Sequence, residues 1–250
     1  MRTKYFTIPN ILTLMNLLCG SLAVVTAVSG IWQPEMPNLK VPFIFLIASA
    51  VFDFLDGFAA RLLGQYSPLG VQLDSLADVV SFGLAPSVIL ASLFVHSGGV
   101  GAWYLITFSV VLCSALRLAK FNIDPSQSTS FEGLPTPASA LAVGSLGWLF
   151  TDLGAVTVSA SWILVISIVL AWLLISPVRM FSLKFHTFSM RDKTNVLRYS
   201  FLTVALVILI VGGLGWAWCI IILYIFTSII TDILCPKRKS CDTVANESEK

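Results

Sequence analysis

The stretch that decides the fold is residues 53–78, which read DFLDGFAARLLGQYSPLGVQLDSLAD. It distributes four acidic residues over two hydrophobic segments joined by a short turn at residues 64–70: Asp53, Asp56, Asp74 and Asp78. A charged Asp near the centre of a membrane helix costs about 2.5–3.5 kcal/mol on insertion scales. Because folding alone gives no reason to place four such charges together, we expect a bound ligand to compensate them.

The composition around this stretch is that of a membrane protein. Of the 250 residues, 57% are hydrophobic and only 11% are charged, and the mean hydropathy is +0.90. A soluble domain carries about 25% charged residues, so a water-soluble enzyme, a disordered regulator and a nucleic-acid-binding domain are excluded. The net charge of +2 is too small for a polyanionic partner.

Long hydrophobic runs predict an all-α bundle in the membrane. A spanning helix needs about 20 mostly apolar residues, and eight runs are candidates: 11–31, 41–63, 72–95, 100–118, 136–152, 159–177, 197–212 and 215–234. Backbone polar groups in lipid must be satisfied within the segment, so these runs should be helices. We predict one membrane domain over residues 1–235 and a polar, disordered cytoplasmic tail over residues 236–250.

The basic residues predict the orientation of this bundle. Eight spans put both termini on one side, and that side receives every one of the 15 Lys and Arg residues except Lys40. Basic residues accumulate in cytoplasmic loops. We therefore predict an integral membrane protein whose termini face the cytoplasm. The inner boundary of the second span falls near Arg61, which places Asp53 roughly 12 Å below it at 1.5 Å per residue.

The spacing of the aspartates predicts a single pocket. Asp53 and Asp56 are three residues apart and Asp74 and Asp78 are four apart, so each pair lies on one helix face, about 60° and 40° apart respectively. Because a short turn joins the two helices, we expect them to be antiparallel neighbours with all four carboxylates converging. Four carboxylates without His or Cys suit Mg²⁺ or Mn²⁺ shared with substrate phosphates.

Small residues and one arginine accompany the acids. Gly57 and Ala60 lie on the acid face, where they leave room for a ligand to approach the backbone or, alternatively, allow close helix packing. Arg61 lies one turn nearer the water. It can neutralise a phosphate, or it can serve only as an anchor whose charged end reaches the interface.

The pattern Asp53-x₂-Asp56-Gly57-x₂-Ala60-Arg61-x₈-Gly70-x₃-Asp74-x₃-Asp78 resembles, without departure, the motif of the CDP-alcohol phosphotransferase family. Four further segments are similar to its phosphatidylserine synthase branch: residues 9–16 (PNILTLMN), 81–87 (SFGLAPS), 117–122 (RLAKFN) and 131–138 (FEGLPTPA). The resemblance covers most of residues 5–140, whereas the C-terminal third matches only in being hydrophobic.

The resemblance implies a reaction and a cofactor. Phosphatidyl transfer from CDP-diacylglycerol to the hydroxyl of L-serine would release CMP and depend on one or two Mg²⁺ or Mn²⁺ ions held by the four aspartates. Asp78 is expected to act as the general base. Members of the family are commonly homodimers, so a homodimer is implied as well.

The substrate-binding residues are expected around the same stretch. The nucleotide of the lipid donor should contact residues of the motif together with two from the first span: Asp56, Gly57, Ala60, Arg61, Gly70, Asn10 and Thr13. A serine carboxylate needs a cation at the cytoplasmic mouth, and Arg117 and Lys120 are candidates with Asn122 beside them. Ordinary positive-inside anchoring is the alternative for these two cations.

Three other functions remain open on the sequence. A sibling enzyme could use glycerol 3-phosphate, inositol phosphate or choline as the acceptor, because the catalytic motif does not separate these alcohols. A transporter with buried acids would not account for Gly57, Ala60, Arg61 and Gly70. A membrane scaffold would leave four buried charges unexplained. Direct displacement and a covalent intermediate are also both compatible with the motif.

Overall fold

Helices account for nearly all of the chain described by the structure, a computed structural model, which covers residues 6–31, 38–123, 133–153, 159–178 and 193–234. No strand occurs in these ranges, and the predicted all-α class is confirmed. The α-helices are, in chain order, α1 (Ile8–Ile31), α2 (Lys40–Leu62), α3 (Pro68–Asp78), α4 (Ala85–His96), α5 (Ser109–Ile123), α6 (Thr136–Leu153), α7 (Ala160–Ile175), α8 (Lys193–Gly212) and α9 (Ala217–Leu234).

The length and apolarity of these helices indicate an integral membrane protein. Within the described ranges, four continuous helical stretches are long and apolar enough to cross a bilayer: Ile8–Ser29, Lys40–Leu62, Pro68–His96 and Gly101–Ile123. Helices also occupy the remaining predicted runs, but their apolar stretches are shorter or fall outside this criterion. The expected tail at 236–250 lies outside the described residues.

Helix α3 begins earlier than the predicted residue 72, because its first turn carries its own start signals. The Ser67 hydroxyl accepts a 3.0 Å hydrogen bond from the backbone N–H of Gly70, and Pro68 occupies the first helical turn. A serine cap followed by proline is a strong helix start. The connecting turn therefore shrinks to residues 63–67, and Gly70 lies inside α3 rather than in the turn.

Helices α2 and α3, which the sequence predicts to be neighbours, approach each other through the side chains of their aspartates. Both helices pack against α1 and make few contacts with each other. Helix α1 therefore links the two helices that carry the acids.

A continuous helical stretch runs from α3 through a π-helical turn at Val79–Leu84 into α4. A π-turn inserts an extra residue and changes the direction of the side chains that follow it. Every residue of α4 from Ala85 to Phe94 is buried, and α4 packs against α1, α6 and α7. An apolar helix that is buried on all sides is the centre of a bundle.

The end of α2 that lies far from the acids is fastened to α6. Lys40 forms an ion pair with Asp152, and its Nζ also lies 5.2 Å from the centroid of the Trp148 ring. The backbone N–H of Leu39 donates a 3.1 Å hydrogen bond to Thr151 Oγ1. These contacts hold the start of α2 on the end of α6.

Candidate active site

Three of the predicted acids come together between α2 and α3. One carboxylate oxygen each from Asp53, Asp56 and Asp74 lies within 4.8 Å of the others. Asp56 is buried, while Asp53 and Asp74 are half-buried. We call these three residues the carboxylate cluster.

The carboxylate cluster fits a hard divalent cation. Its donors are all carboxylate oxygens, the ligand type that Mg²⁺ and Mn²⁺ prefer. Among the described residues, the buried Oδ1 atom of Asp74 has no hydrogen-bond partner. A buried acceptor without a donor costs free energy, and a bound cation would remove that cost.

Asp78 does not belong to the carboxylate cluster, although the sequence grouped it there. It lies one helical turn beyond Asp74 and is 7% exposed. Its Oδ1 atom accepts a 3.2 Å hydrogen bond from the Nδ2 amide of Asn16 on α1. Asp78 is nevertheless close enough to Asp53, Asp56 and Asp74 to interact with them electrostatically, so it borders the same site.

Helix α1 contributes the predicted residue Thr13 to the cluster. The Thr13 hydroxyl lies 2.7 Å from Asp56 Oδ2 and 3.0 Å from the backbone oxygen of Pro9, and it can donate its proton to one of them at a time. The hydrogen bond with Asp56 gives Thr13 a role in orienting that carboxylate. Its hydroxyl therefore faces the acids.

The surface of α2 at Gly57 is open. No atom of the described residues, apart from the glycine's own chain neighbours and nearby helix backbone, lies within 4 Å of an ideal Cβ built on Gly57. Close helix packing, the alternative considered from the sequence, is therefore not the reason for this glycine. Arg61 is exposed, and its Nε donates a 3.0 Å hydrogen bond to the Gly57 carbonyl. Ala60 is half-buried beside them.

Gly70 and Asn10 form a close contact between α3 and α1. An ideal Cβ on Gly70 would lie 3.2 Å from Asn10 Oδ1 and 3.1 Å from Ser67 Oγ. The missing side chain thus lets the capped start of α3 approach α1. Asn10 is buried at this contact.

The predicted acceptor residues lie in the last turns of α5 and differ in their surroundings. Arg117 is half-buried, interacts electrostatically with Asp78 and donates a 3.5 Å hydrogen bond to the Gly133 carbonyl. Asn122 donates a 2.8 Å hydrogen bond to Ser75 on α3, next to Asp74 in the chain. Lys120 is exposed. The structure therefore brings Arg117 near Asp78 and Asn122 near α3.

Sequence reasoning missed three polar residues behind Asp78: Asn16, Ser49 and Ser81. All three are fully buried and hydrogen-bonded to one another, with Asn16 in the centre. One signal was available. Asn10, Thr13 and Asn16 recur every three residues in an apolar run, which predicts a polar stripe on one face of α1.

The profile of the family described as CDP-alcohol phosphatidyltransferase matches residues 6–173, a range that runs from α1 into α7. The CDP-diacylglycerol–serine O-phosphatidyltransferase of Bacillus subtilis is 33% identical over 147 residues, which are 58% of this chain and 78% of that protein.

Two further relatives extend this comparison. The Mycobacterium leprae protein of the same name is 31% identical over 226 residues, covering 87% of this chain and 72% of the relative. The archaetidylserine synthase of Methanothermobacter thermautotrophicus is 31% identical over 157 residues, covering 61% of this chain and 64% of the relative. The similarity to the Mycobacterium leprae protein thus extends beyond the segment matched by the family profile.

Proposed function

The chain belongs to the CDP-alcohol phosphatidyltransferase family, as the motif at residues 53–78 predicted, and on this premise we propose that it synthesises phosphatidylserine. The phosphatidyl group of CDP-diacylglycerol is transferred to the hydroxyl of L-serine, and CMP is released. The observation that carries the proposal is the carboxylate cluster beside the open surface of Gly57. The serine acceptor is supported by the names of relatives that are 31–33% identical.

Asp53, Asp56 and Asp74 would hold Mg²⁺ or Mn²⁺, as one ion or two. When bound, such an ion neutralises the diphosphate of the lipid donor and stabilises the departing CMP. Thr13 orients Asp56 for this task through its 2.7 Å hydrogen bond. The motif further predicts that Asp78 contacts an ion.

The cytidine diphosphate would lie over the open face of α2. Gly57 offers backbone without a side chain, and Arg61 offers a positive charge beside it. The small side chain of Ala60 leaves space on the same surface. Asn10 and Gly70, where α1 meets α3, would contact the nucleotide as well.

Asp78 is the proposed general base. It takes the proton of the serine hydroxyl while the serine oxygen forms a bond to the phosphorus that carries diacylglycerol. The bond from that phosphorus to the CMP oxygen breaks, and CMP leaves with its electron pair. If the phosphatidyl group instead passes through a covalent intermediate, the overall reaction is unchanged: one serine is consumed and one CMP is released. The burial of Asp78 and its hydrogen bond with Asn16 support this role.

Arg117 is the proposed partner of the serine carboxylate, with Lys120 and Asn122 at the mouth. A half-buried guanidinium near the base can bind a carboxylate through two parallel hydrogen bonds. Serine bound there would bring its hydroxyl towards Asp78. The proximity of Arg117 to Asp78 is the support for this assignment.

We also propose the architecture around the site. Residues 1–235 form one domain with eight membrane-spanning helices, both termini and the active site face the cytoplasm, and two chains associate as a homodimer. The helices in all eight predicted runs support the spans, the distribution of Lys and Arg supports the orientation, and the homodimer follows from the family resemblance alone.

An acceptor assay tests the proposed reaction. Purified protein is given CDP-diacylglycerol and Mg²⁺ or Mn²⁺ with radiolabelled serine, glycerol 3-phosphate, inositol phosphate or choline. Label from serine alone should enter a chloroform-soluble product together with CMP release. Label from another alcohol would assign a sibling activity. If the protein bound neither CDP-diacylglycerol nor CMP, the enzyme class itself would be contradicted.

A further inference from the structure

Asn16 joins three parts of the bundle behind the proposed base. It lies on α1, and hydroxyls from α2 and from the π-helical turn both donate to it. Ser49 Oγ donates either to the Oδ1 atom or, at 3.1 Å, to the backbone oxygen of Asn16. Ser81 Oγ donates to the same backbone oxygen at 3.2 Å. All three side chains are fully buried.

The partners of the Asn16 amide define which way it points. A serine hydroxyl can donate to the amide oxygen, whereas a carboxylate can only accept from the amide nitrogen. With Oδ1 facing Ser49, Nδ2 faces Asp78 at 3.2 Å from its Oδ1 atom. A rotated amide would place an oxygen against a carboxylate oxygen and would lose the hydrogen bond with Asp78, and Ser49 would then accept from Nδ2 instead of donating to Oδ1.

We propose that Asn16 is a positioning residue for Asp78, with Ser49 fixing the orientation of its amide. The amide nitrogen holds Oδ1 of Asp78 and leaves Oδ2 for the proton of the acceptor alcohol. This inference rests on the proposed function only in taking Asp78 as the base. It does not depend on which alcohol is the acceptor, because Asn16 acts on the carboxylate.

A double-mutant cycle separates positioning from simple packing. The variants are Asn16→Ala, Ser49→Ala and the two combined, and each is purified and assayed for kcat, the KM for CDP-diacylglycerol, CMP binding and thermal stability. Ser21→Ala is the matched control, because within the described part of the chain its hydroxyl donates to the Leu17 carbonyl of its own helix and to no other element. Asn16→Leu restores side-chain volume if the alanine variant does not fold.

We expect kcat to fall about 100-fold in Asn16→Ala, since a small misplacement of a reacting group costs about that much. Ser49→Ala should lose less, about 10-fold, because the amide remains but is free to rotate. The double variant should match Asn16→Ala, while CMP binding and the KM for the lipid donor stay close to wild type. The control should keep its kcat.

Three outcomes overturn the inference. An unchanged kcat in Asn16→Ala or Asn16→Leu removes the contact from catalysis. Additive losses in the double variant make Ser49 independent of Asn16. A loss of CMP binding parallel to the loss of kcat makes Asn16 a general structural residue. The cycle is run with whichever acceptor alcohol the wild type uses, or as hydrolysis of CDP-diacylglycerol if it uses none. A wrong assignment of the acceptor therefore does not affect the test of Asn16.

Discussion

At the scale of single residues, the four aspartates divide into two environments. One oxygen each of Asp53, Asp56 and Asp74 lies within 4.8 Å of the others, whereas Asp78 accepts a hydrogen bond from the Asn16 amide of α1. A cluster that shares space suits a cation, and a carboxylate with a fixed hydrogen bond suits proton transfer. The two environments therefore support two different roles.

Replacing Asp78 by Asn should separate binding from turnover. The amide keeps the size of the side chain but cannot take a proton, so kcat should fall about 10²–10⁴-fold, the range for general base catalysis. Binding of CDP-diacylglycerol, measured by displacement of a fluorescent cytidine nucleotide, should stay within about twofold, because ligands bound away from the base lose no contact. Full turnover in this variant would remove Asp78 as the base.

Removal of one cluster carboxylate should abolish cation binding. We expect Asp53→Asn, Asp56→Asn and Asp74→Asn each to weaken Mn²⁺ binding at least about 10-fold, because a hard cation loses a charged oxygen. Electron paramagnetic resonance of free Mn²⁺ measures this without any turnover. Asp152→Asn is the matched control, since that acid pairs with Lys40 at the far end of α2. Equal Mn²⁺ binding by all four variants would contradict the metal site.

Replacing Gly57 by Ala should stabilise the protein but weaken its binding of the lipid donor. An ideal Cβ there meets nothing within 4 Å in the described part of the chain, and alanine favours a helix over glycine by about 1 kcal/mol. Gly57→Ala should therefore raise thermal stability while raising the KM for CDP-diacylglycerol about 10-fold, since the cost of one clash with a ligand is about 1–3 kcal/mol. An unchanged KM would place the lipid headgroup elsewhere.

At the scale of helices, most elements followed from apolar length, but two features did not. The start of α3 depends on a cap formed by Ser67 and Pro68, which the apolar run alone conceals. The π-turn at Val79–Leu84 places Gly83 close to the backbone of Val111. Such a turn is selected by packing between elements that are distant in sequence.

The active site divides in the same way. The acids were predictable because charged residues are rare in lipid, and Gly57 was predictable because its spacing from Asp53 puts both on one helix face. The role of Asn16 was not, because its partners Ser49 and Asp78 lie 33 and 62 residues away. A single asparagine in an apolar helix does not reveal which carboxylate it contacts.

Substitution of Gly20 should break the packing of α1 on the π-turn. An ideal Cβ on Gly20 would lie 2.1 Å from Ser81 Oγ and 2.7 Å from Ser81 Cα. Gly20→Ala should therefore lower the free energy of unfolding by about 1–3 kcal/mol, the usual cost of overpacking, despite the better helix propensity of alanine. Thermal unfolding in detergent measures it.

The matched comparison for Gly20 is Gly57→Ala, which adds the same methyl group to an open surface. A second substitution, Ser81→Ala, should not rescue Gly20→Ala, because the Cα atom of Ser81 is itself in the way. If Gly20→Ala were as stable as wild type, the close approach of these two elements would be wrong.

At the scale of the whole molecule, orientation in the membrane can be tested at two exposed positions. Tyr66 lies in the turn between α2 and α3, and Val100 precedes the next helical stretch; they are 70% and 78% exposed. A membrane-impermeant maleimide should label Tyr66→Cys only from the cytoplasmic side and Val100→Cys only from the other. All five native cysteines are first replaced by serine. The reverse pattern would invert the topology.

The four aspartates lie nearer to the turn between α2 and α3 than to the opposite ends of these helical stretches. Under the proposed reaction, two-chain lipid is consumed and produced one for one in a single monolayer, so each turnover alters the headgroup charge of that monolayer and leaves its lipid number unchanged. A charged headgroup crosses hydrocarbon at high cost. Supply of the product to the opposite monolayer therefore requires a separate flippase.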